Sequence, residues 1–302
     1  MALGGHTRGI ATALPLLVIV LAAPACGKAG PQPMLDRSGL SLAFEETFDR
    51  APSFQDAQKP PEGRWKTNYF FGVQDHGHPM AWTSRTIPEN GELQYYASPF
   101  APSSPFEWRD GIVAIVARKT PTEIRPHVHG LPYLSGLMTT EKSFSQSEGY
   151  FEARIALPLG RGLWPAFWLL PDPKIENGNP VHPGGQEIDV FESIGEPGTL
   201  YQTVFTDRAG AKVKDGKKYQ TSADLGAFHT YGVLVTKAKI VWYFDDLEVW
   251  RVVNKDFHRP AYLLLNLAVG GNWPGAPDDR THFPAAMRID WVRAYRLDGK
   301  AQ

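Results

Sequence analysis

The chain is expected to be all-β, a sandwich or barrel of short strands. Apolar runs of strand length recur along its 302 residues, each broken by turn-forming residues. No segment carries the long 3.6-residue stripe of an amphipathic helix. Gly (29) and Pro (26) are plentiful beside 12% aromatics, which suits many strands and turns. The length matches one β-sandwich of ordinary size.

Taken in order, residues 1–25 read as a signal peptide. Arg8 supplies a weakly basic start, and Ile10–Ala23 is an apolar run too short for a comfortable membrane span. Ala23-Pro24-Ala25 fits a small-x-small cleavage site, and Cys26, the chain's single cysteine, follows at once. One cysteine cannot form an internal disulfide. Its placement resembles a bacterial lipobox, so Cys26 is a candidate lipidation site, with plain cleavage after Ala25 as the alternative. Either route predicts an exported protein, held on the cell envelope through Cys26 or released as a secreted or periplasmic one. Residues 26–40 are polar and rich in Pro and Gly, which predicts a flexible tether.

One domain is expected over 41–298. It opens with Leu42–Phe44, and strands are read at Gly111–Ala117, Tyr150–Ala156, Tyr201–Thr206 and Phe228–Val235. Lys239–Phe244, Tyr262–Val269 and Arg288–Leu297 complete the set. Asp245-Asp246 between two apolar runs predicts a hairpin turn, since Asp tolerates left-handed backbone. Pro171–Gly185 and Arg208–Ala223 read as loops.

A formal charge of −1 with no long basic run argues against nucleic-acid binding driven by phosphate neutralisation. GxSxG and phosphate-binding glycine loops are missing from the sequence. His76 and His78, like His127 and His129, have an i, i+2 spacing but no partner motif, so surface loops explain them better than a metal does.

Chemistry concentrates in Gln186–Ser193, QEIDVFES, with three carboxylates in six residues. Strand alternation puts Glu187 and Asp189 on one face and Ile188 and Val190 on the other. Glu192 lies at the wrong parity, and a β-bulge at Val190-Phe191 would return it to the Glu187 face. Four strand intervals then separate the two glutamates by ~13 Å. Side chains reaching inward by roughly 4 Å each would leave ~5 Å between carboxyls, the separation of a retaining glycosidase. An isolated ExDxxE is more often a solvated face. Upstream, alternation in Gly162–Pro171 puts Trp164, Ala166 and Trp168 on one face, as core or as a stacking surface for sugar rings.

Together GLWPAFWLLP, QEIDVFES and LLLNLAVGGNWPG (Leu263–Gly275) resemble glycoside hydrolase family 16, the laminarinase-like retaining endoglycosidases. The likeness extends from Glu92–Tyr96 to Phe283–Arg296. It implies a β-jelly-roll sandwich of two antiparallel sheets with a concave substrate cleft. It also implies Glu187 as nucleophile, Glu192 as general acid/base and Asp189 as the group that orients the nucleophile. Trp164 and Trp168 would bind sugar, with Asn90 and Trp273 as further substrate-binding candidates. Asp290 stands where relatives bind a structural calcium, and no cofactor is implied for catalysis. The bulged spacing resembles laminarinases and galactan-active branches more than bacterial lichenases. Three positions depart from the pattern: Phe205 for a histidine, Gln186 for a glycine, and His182-Pro183 for Trp-Pro.

The resemblance implies a monomeric endo-β-glycanase acting on β-1,3- or mixed-linkage glucan through a glycosyl-enzyme intermediate. An exopolysaccharide depolymerase of succinoglycan type, or a transglycosylase, is the alternative within the enzyme class. Outside it stands a β-glucan-binding protein, which would not need all three acids.

Overall fold

The computed structural model describes residues 33–55, 63–72, 78–176, 179–181, 185–208 and 211–299. The predicted signal peptide, Cys26, His76 and His182-Pro183 lie outside the described residues. The described residues form one compact unit.

Among the described residues that unit is two stacked sheets of ten and eight strands with one separate two-stranded hairpin, joined by short loops and three short 3-10 turns. The eight-stranded sheet runs, edge to edge, Ala211–Gln220, Thr199–Arg208, Glu187–Glu192, Leu163–Pro171, Ala261–Val269, Leu137–Thr139, Trp65–Lys66 and Phe54–Gln55. The ten-stranded sheet centres on Gly149–Ala156, Ala285–Leu297 and Ile112–Lys119. Pairing is antiparallel throughout both sheets except for two short parallel pairs, Phe54–Gln55 with Trp65–Lys66 and Gln94–Tyr96 with Tyr133–Ser135. The jelly-roll expectation therefore holds.

Period-2 alternation explains why the layers stack. Leu163, Phe167 and Leu169 point into the space between the sheets, where they meet Ile155, Val233 and Trp242 from the opposite layer. Trp164, Ala166 and Trp168 point to the other side, away from that core. A second, smaller apolar cluster of Tyr69, Tyr96, Leu137, Trp168, Tyr262 and Leu264 fills part of that outer face.

The Asp245-Asp246 turn is as expected. Both residues have positive φ (48° and 63°), the requirement of a two-residue hairpin that follows strand twist. Asp245 also accepts from the Thr230 backbone N–H at 2.9 Å, which locks the turn to the neighbouring strand.

Two readings need correction. Arg208–Ala223 is not a loop: Ala211–Gln220 is a full strand paired along its length with Thr199–Arg208. It forms the sheet's open edge and is exposed over most of its length, so it lacks the apolar alternation that marks a half-buried strand. Pro171–Gly185 likewise contains a small hairpin, Lys174–Glu176 with Asn179–Val181.

The described end of the predicted tether is also not free. Met34 bridges Leu247, and the Arg37 guanidinium reaches buried Glu152 at 2.8 Å and Asp246 at 2.7 Å. Composition shows a shortage of apolar residues but not such polar docking.

Candidate active site

The acid strand Glu187–Glu192 lies between the tryptophan strand Leu163–Pro171 and the strand Thr199–Arg208. Its register slips on both sides. Asp189 faces Thr203 while Glu192 faces Tyr201, so three steps on one strand match two on the other. Against the tryptophan strand, Trp168 faces Asp189 and Phe167 already faces Phe191. This is a β-bulge at Val190-Phe191, the extra residue the sequence required.

Its cause is visible in the packing. Val190 (2% exposed) and Phe191 (0%) both enter the intersheet core, two consecutive side chains on one side of the strand. Phe191 packs on Tyr231 of the opposite sheet at 4.3 Å between ring centres. Trp242, also from that sheet, donates its indole N–H to the Asp189 carbonyl at 2.8 Å. Glu187, Asp189 and Glu192 thereby line one cleft of about 440 Å³ on the outer face of the eight-stranded sheet.

The three acids have different surroundings. Lys212 donates to Glu187 Oε2 at 3.0 Å. Glu192 Oε1 accepts from the Trp164 indole N–H at 3.0 Å. Burial, and then the charge of Glu187, pushes the Glu192 carboxyl up to about 7 against the opposing pull of that indole and of Lys214 and Lys212. Asp189 is held well above the usual carboxylate range, first by burial and then by Glu192 and Glu187. Its Oδ2 is buried without a hydrogen-bond partner among the described residues. The cleft thus offers one ion-paired carboxylate, Glu187, and a second glutamate, Glu192, raised to about 7 and so partly protonated near neutral pH. That division of labour suits acid-assisted displacement at an acetal carbon.

Comparison with known proteins bears directly on this arrangement. The family model for glycosyl hydrolases family 16 matches residues 108–293, a span holding all three acids and the tryptophan strand. The chain belongs to that family. Endo-1,3-1,4-beta-glycanase EglC of Rhizobium meliloti (strain 1021) is 36% identical over 270 residues, 87% of this chain and 53% of that protein. The chain thus spans about half the length of EglC and of a second Rhizobium relative, ExsH (54%). The beta-glucanase of Rhodothermus marinus is 33% identical over 282 residues, covering 85% of this chain and 91% of that one. Among solved structures, the laminarinase from Rhodothermus marinus superposes with a TM-score of 0.66 at 29% identity, over 85% of this chain and 98% of its own.

Within this family 16 cleft, the other expected residues divide. Trp164 lies beside Glu192 and meets Trp273 edge-on at 5.6 Å. Gly271, at φ +127°, lets the backbone approach closely: a Cβ there would lie 3.1 Å from the Trp164 ring. Trp273 is 37% exposed and also packs on Tyr201. Trp168 lines the cleft but is only 8% exposed, its indole N–H fixed to Asn266 Oδ1 at 2.7 Å. Asn90 lines the wall, and its side-chain amide donates to buried Glu92 at 3.1 Å.

Asp290, where the resemblance implies a structural calcium, has its carboxylate bonded to the Arg154 guanidinium. No group of three or more His, Cys, Asp or Glu able to hold a metal occurs among the described residues. His78, His127 and His129 are exposed.

The departures from the family pattern have structural roles. Phe205 faces Glu187 across the strand pair and carries the Lys212 ammonium 3.8 Å from its ring centre. Gln186 donates to the Asp256 carbonyl at 2.9 Å, tying the start of the acid strand to a neighbouring loop.

Sequence reading missed Tyr69, Phe71, Asn266, Lys212 and Lys214 as cleft residues. The lysines had a signal. Lys212, Lys214 and Lys218 share one parity in AKVKDGKKYQ, but only a strand assignment gives parity a meaning. Asn266 had a fainter one, a lone polar residue inside the apolar run LLLNLAV.

Proposed function

We propose that this chain is a retaining endo-β-glycosidase that cleaves internal bonds of a β-1,3- or mixed-linkage β-glucan by double displacement. The observation that carries the reading is the bulge, which delivers Glu187 and Glu192 to one cleft with opposite electrostatic support. Relatives named as endo-1,3-1,4-beta-glycanase and beta-glucanase support the substrate class.

In the proposed reaction Glu187 attacks the anomeric carbon while Glu192 gives its proton to the departing glycosidic oxygen. The C–O bond to the leaving sugar breaks as the bond to the Glu187 carboxylate forms. Glu192, now ionised, takes a proton from water, and the resulting attack on the anomeric carbon releases Glu187. Lys212 donates to Glu187, and Asp189, two residues along the same strand face, is assigned the task of orienting it. Trp164 keeps the Glu192 carboxyl aimed and offers ring surface to the sugar. The scheme draws on carboxyls alone and on no metal. An exported location, on the envelope through Cys26 or released, is part of the proposal, because glucan polymers are met outside the cell.

The test is reducing-end release from laminarin, mixed-linkage glucan, agarose, carrageenan and an acidic succinoglycan-type polymer, comparing the wild type with Glu192→Gln. Release from a β-glucan, lowered about 10²–10⁴-fold in the variant, is the expected result. Silence on every polymer with laminarin still retained in an affinity gel would replace the enzyme by a glucan-binding protein.

The pH profile gives a separate check. Glu192 must be protonated to act, and its carboxyl stands at about 7. kcat/KM should therefore be level just below that value and fall about tenfold per unit above it. A falling limb centred well below pH 6 would exclude Glu192 as the acid.

A further inference from the structure

The edge strand Ala211–Gln220 carries Lys212, Lys214, Lys217 and Lys218. Pairing sets Lys214 against Phe205, Gly216 against Thr203 and Lys218 against Tyr201. Lys212, Lys214 and Lys218 thus share the cleft face, and Lys217 takes the other. Two of the three are matched by carboxylates: Lys212 by Glu187 at 3.0 Å and Lys218 by Glu196 at 2.7 Å. Lys214 has no ion-pair partner among the described residues. It is exposed, and its ammonium lies 5.4 Å from the Trp273 ring centre and 5.6 Å from that of Phe205.

We propose that this flank of the cleft is a subsite for an anionic substituent, a carboxylate or sulfate carried on the sugars of the glycan, with Lys214 as its counter-ion. The proposal rests on the glycanase reading and names the class of substrate within it. A sugar resting on the exposed Trp273 would present its substituents to the ammonium. That contact forms a charge-assisted hydrogen bond in a partly desolvated cleft, stronger than a neutral one. Neutral glucan would meet the same ammonium with hydroxyls alone. Lysines also guard open sheet edges against pairing with another chain. Guarding an edge needs no aromatic backing, however, and does not need cleft-facing parity.

The experiment uses three soluble β-1,3-glucans: neutral laminarin, carboxymethyl-curdlan of low substitution and sulfated curdlan. Wild type and Lys214→Met, which keeps an apolar stem, are compared by kcat/KM and by retention in affinity gels. The wild type should favour a charged polymer over laminarin, and Lys214→Met should cut that anionic-to-neutral ratio about tenfold. The preference should also shrink between 0.02 and 0.5 M salt as charges are screened. The two charged polymers tell carboxylate from sulfate. A ratio unchanged by the substitution, or a wild type favouring laminarin, overturns the proposal. Turnover of no polymer defeats the glycanase reading instead, and the gel retention ratio then still decides whether Lys214 reads charge.

Discussion

Glu187→Gln should lower kcat on a soluble β-glucan about 10⁴-fold or more, with the fold intact. Gln is nearly isosteric, so the cleft keeps its shape while the attacking oxygen loses its charge, and removing a nucleophile typically costs on that scale. Lys212 then loses its carboxylate partner, but its exposure keeps that loss cheap. A second readout separates chemistry from misfolding. The charge of Glu187 is one of the causes holding Glu192 up at about 7. In Glu187→Gln the midpoint of Glu192, followed by carbon NMR of its carboxyl, should move down. A kcat within tenfold of the wild type would remove Glu187 as the nucleophile.

Phe191→Ala should destabilise the domain by about 3–5 kcal/mol, the usual cost of deleting a buried phenyl ring. For a domain of this size that is a fall in Tm on the order of 10 °C. Activity measured well below the new Tm should drop as well, by about tenfold or more. Phe191 is one of the two core side chains that impose the bulge, and a relaxed bulge misplaces Glu192. Ile155→Ala, a cavity in the opposite sheet, serves as the control: about 2–5 kcal/mol lost, with kcat kept near wild type. Equal losses of kcat in the two variants would show that the bulge has no special claim on activity.

Most of the sheet was legible because its strands are half-buried and so alternate in hydrophobicity. Lys239–Phe244 was read to the residue, and Tyr150–Ala156 and Tyr262–Val269 each fell one residue short. The bulge was legible for a different reason. Three acids cannot share a face at that spacing without an extra residue, so chemistry forced the geometry. The edge strand was not legible, since it faces solvent and shows no apolar rhythm. The second cluster around Tyr69 and Tyr96 was missed because it brings an irregular segment, Tyr69-Phe70, and a short strand, Gln94–Tyr96, onto the outer face of strands distant in sequence. Trp168 shows the limit of parity: it names a face, but not how much of that face other segments will cover.

Trp242 and Phe191 sit inside the molecule, yet they hold the spacing of two groups at its surface. The geometry of the proposed bond cleavage therefore rests on the same packing as stability, and a change in one disturbs the other. Lys214 and Trp273 carry no such burden, since they are exposed and touch the cleft from its rim. A protein built this way can exchange one polymer for another through changes at those outer positions, while its reaction stays fixed from within.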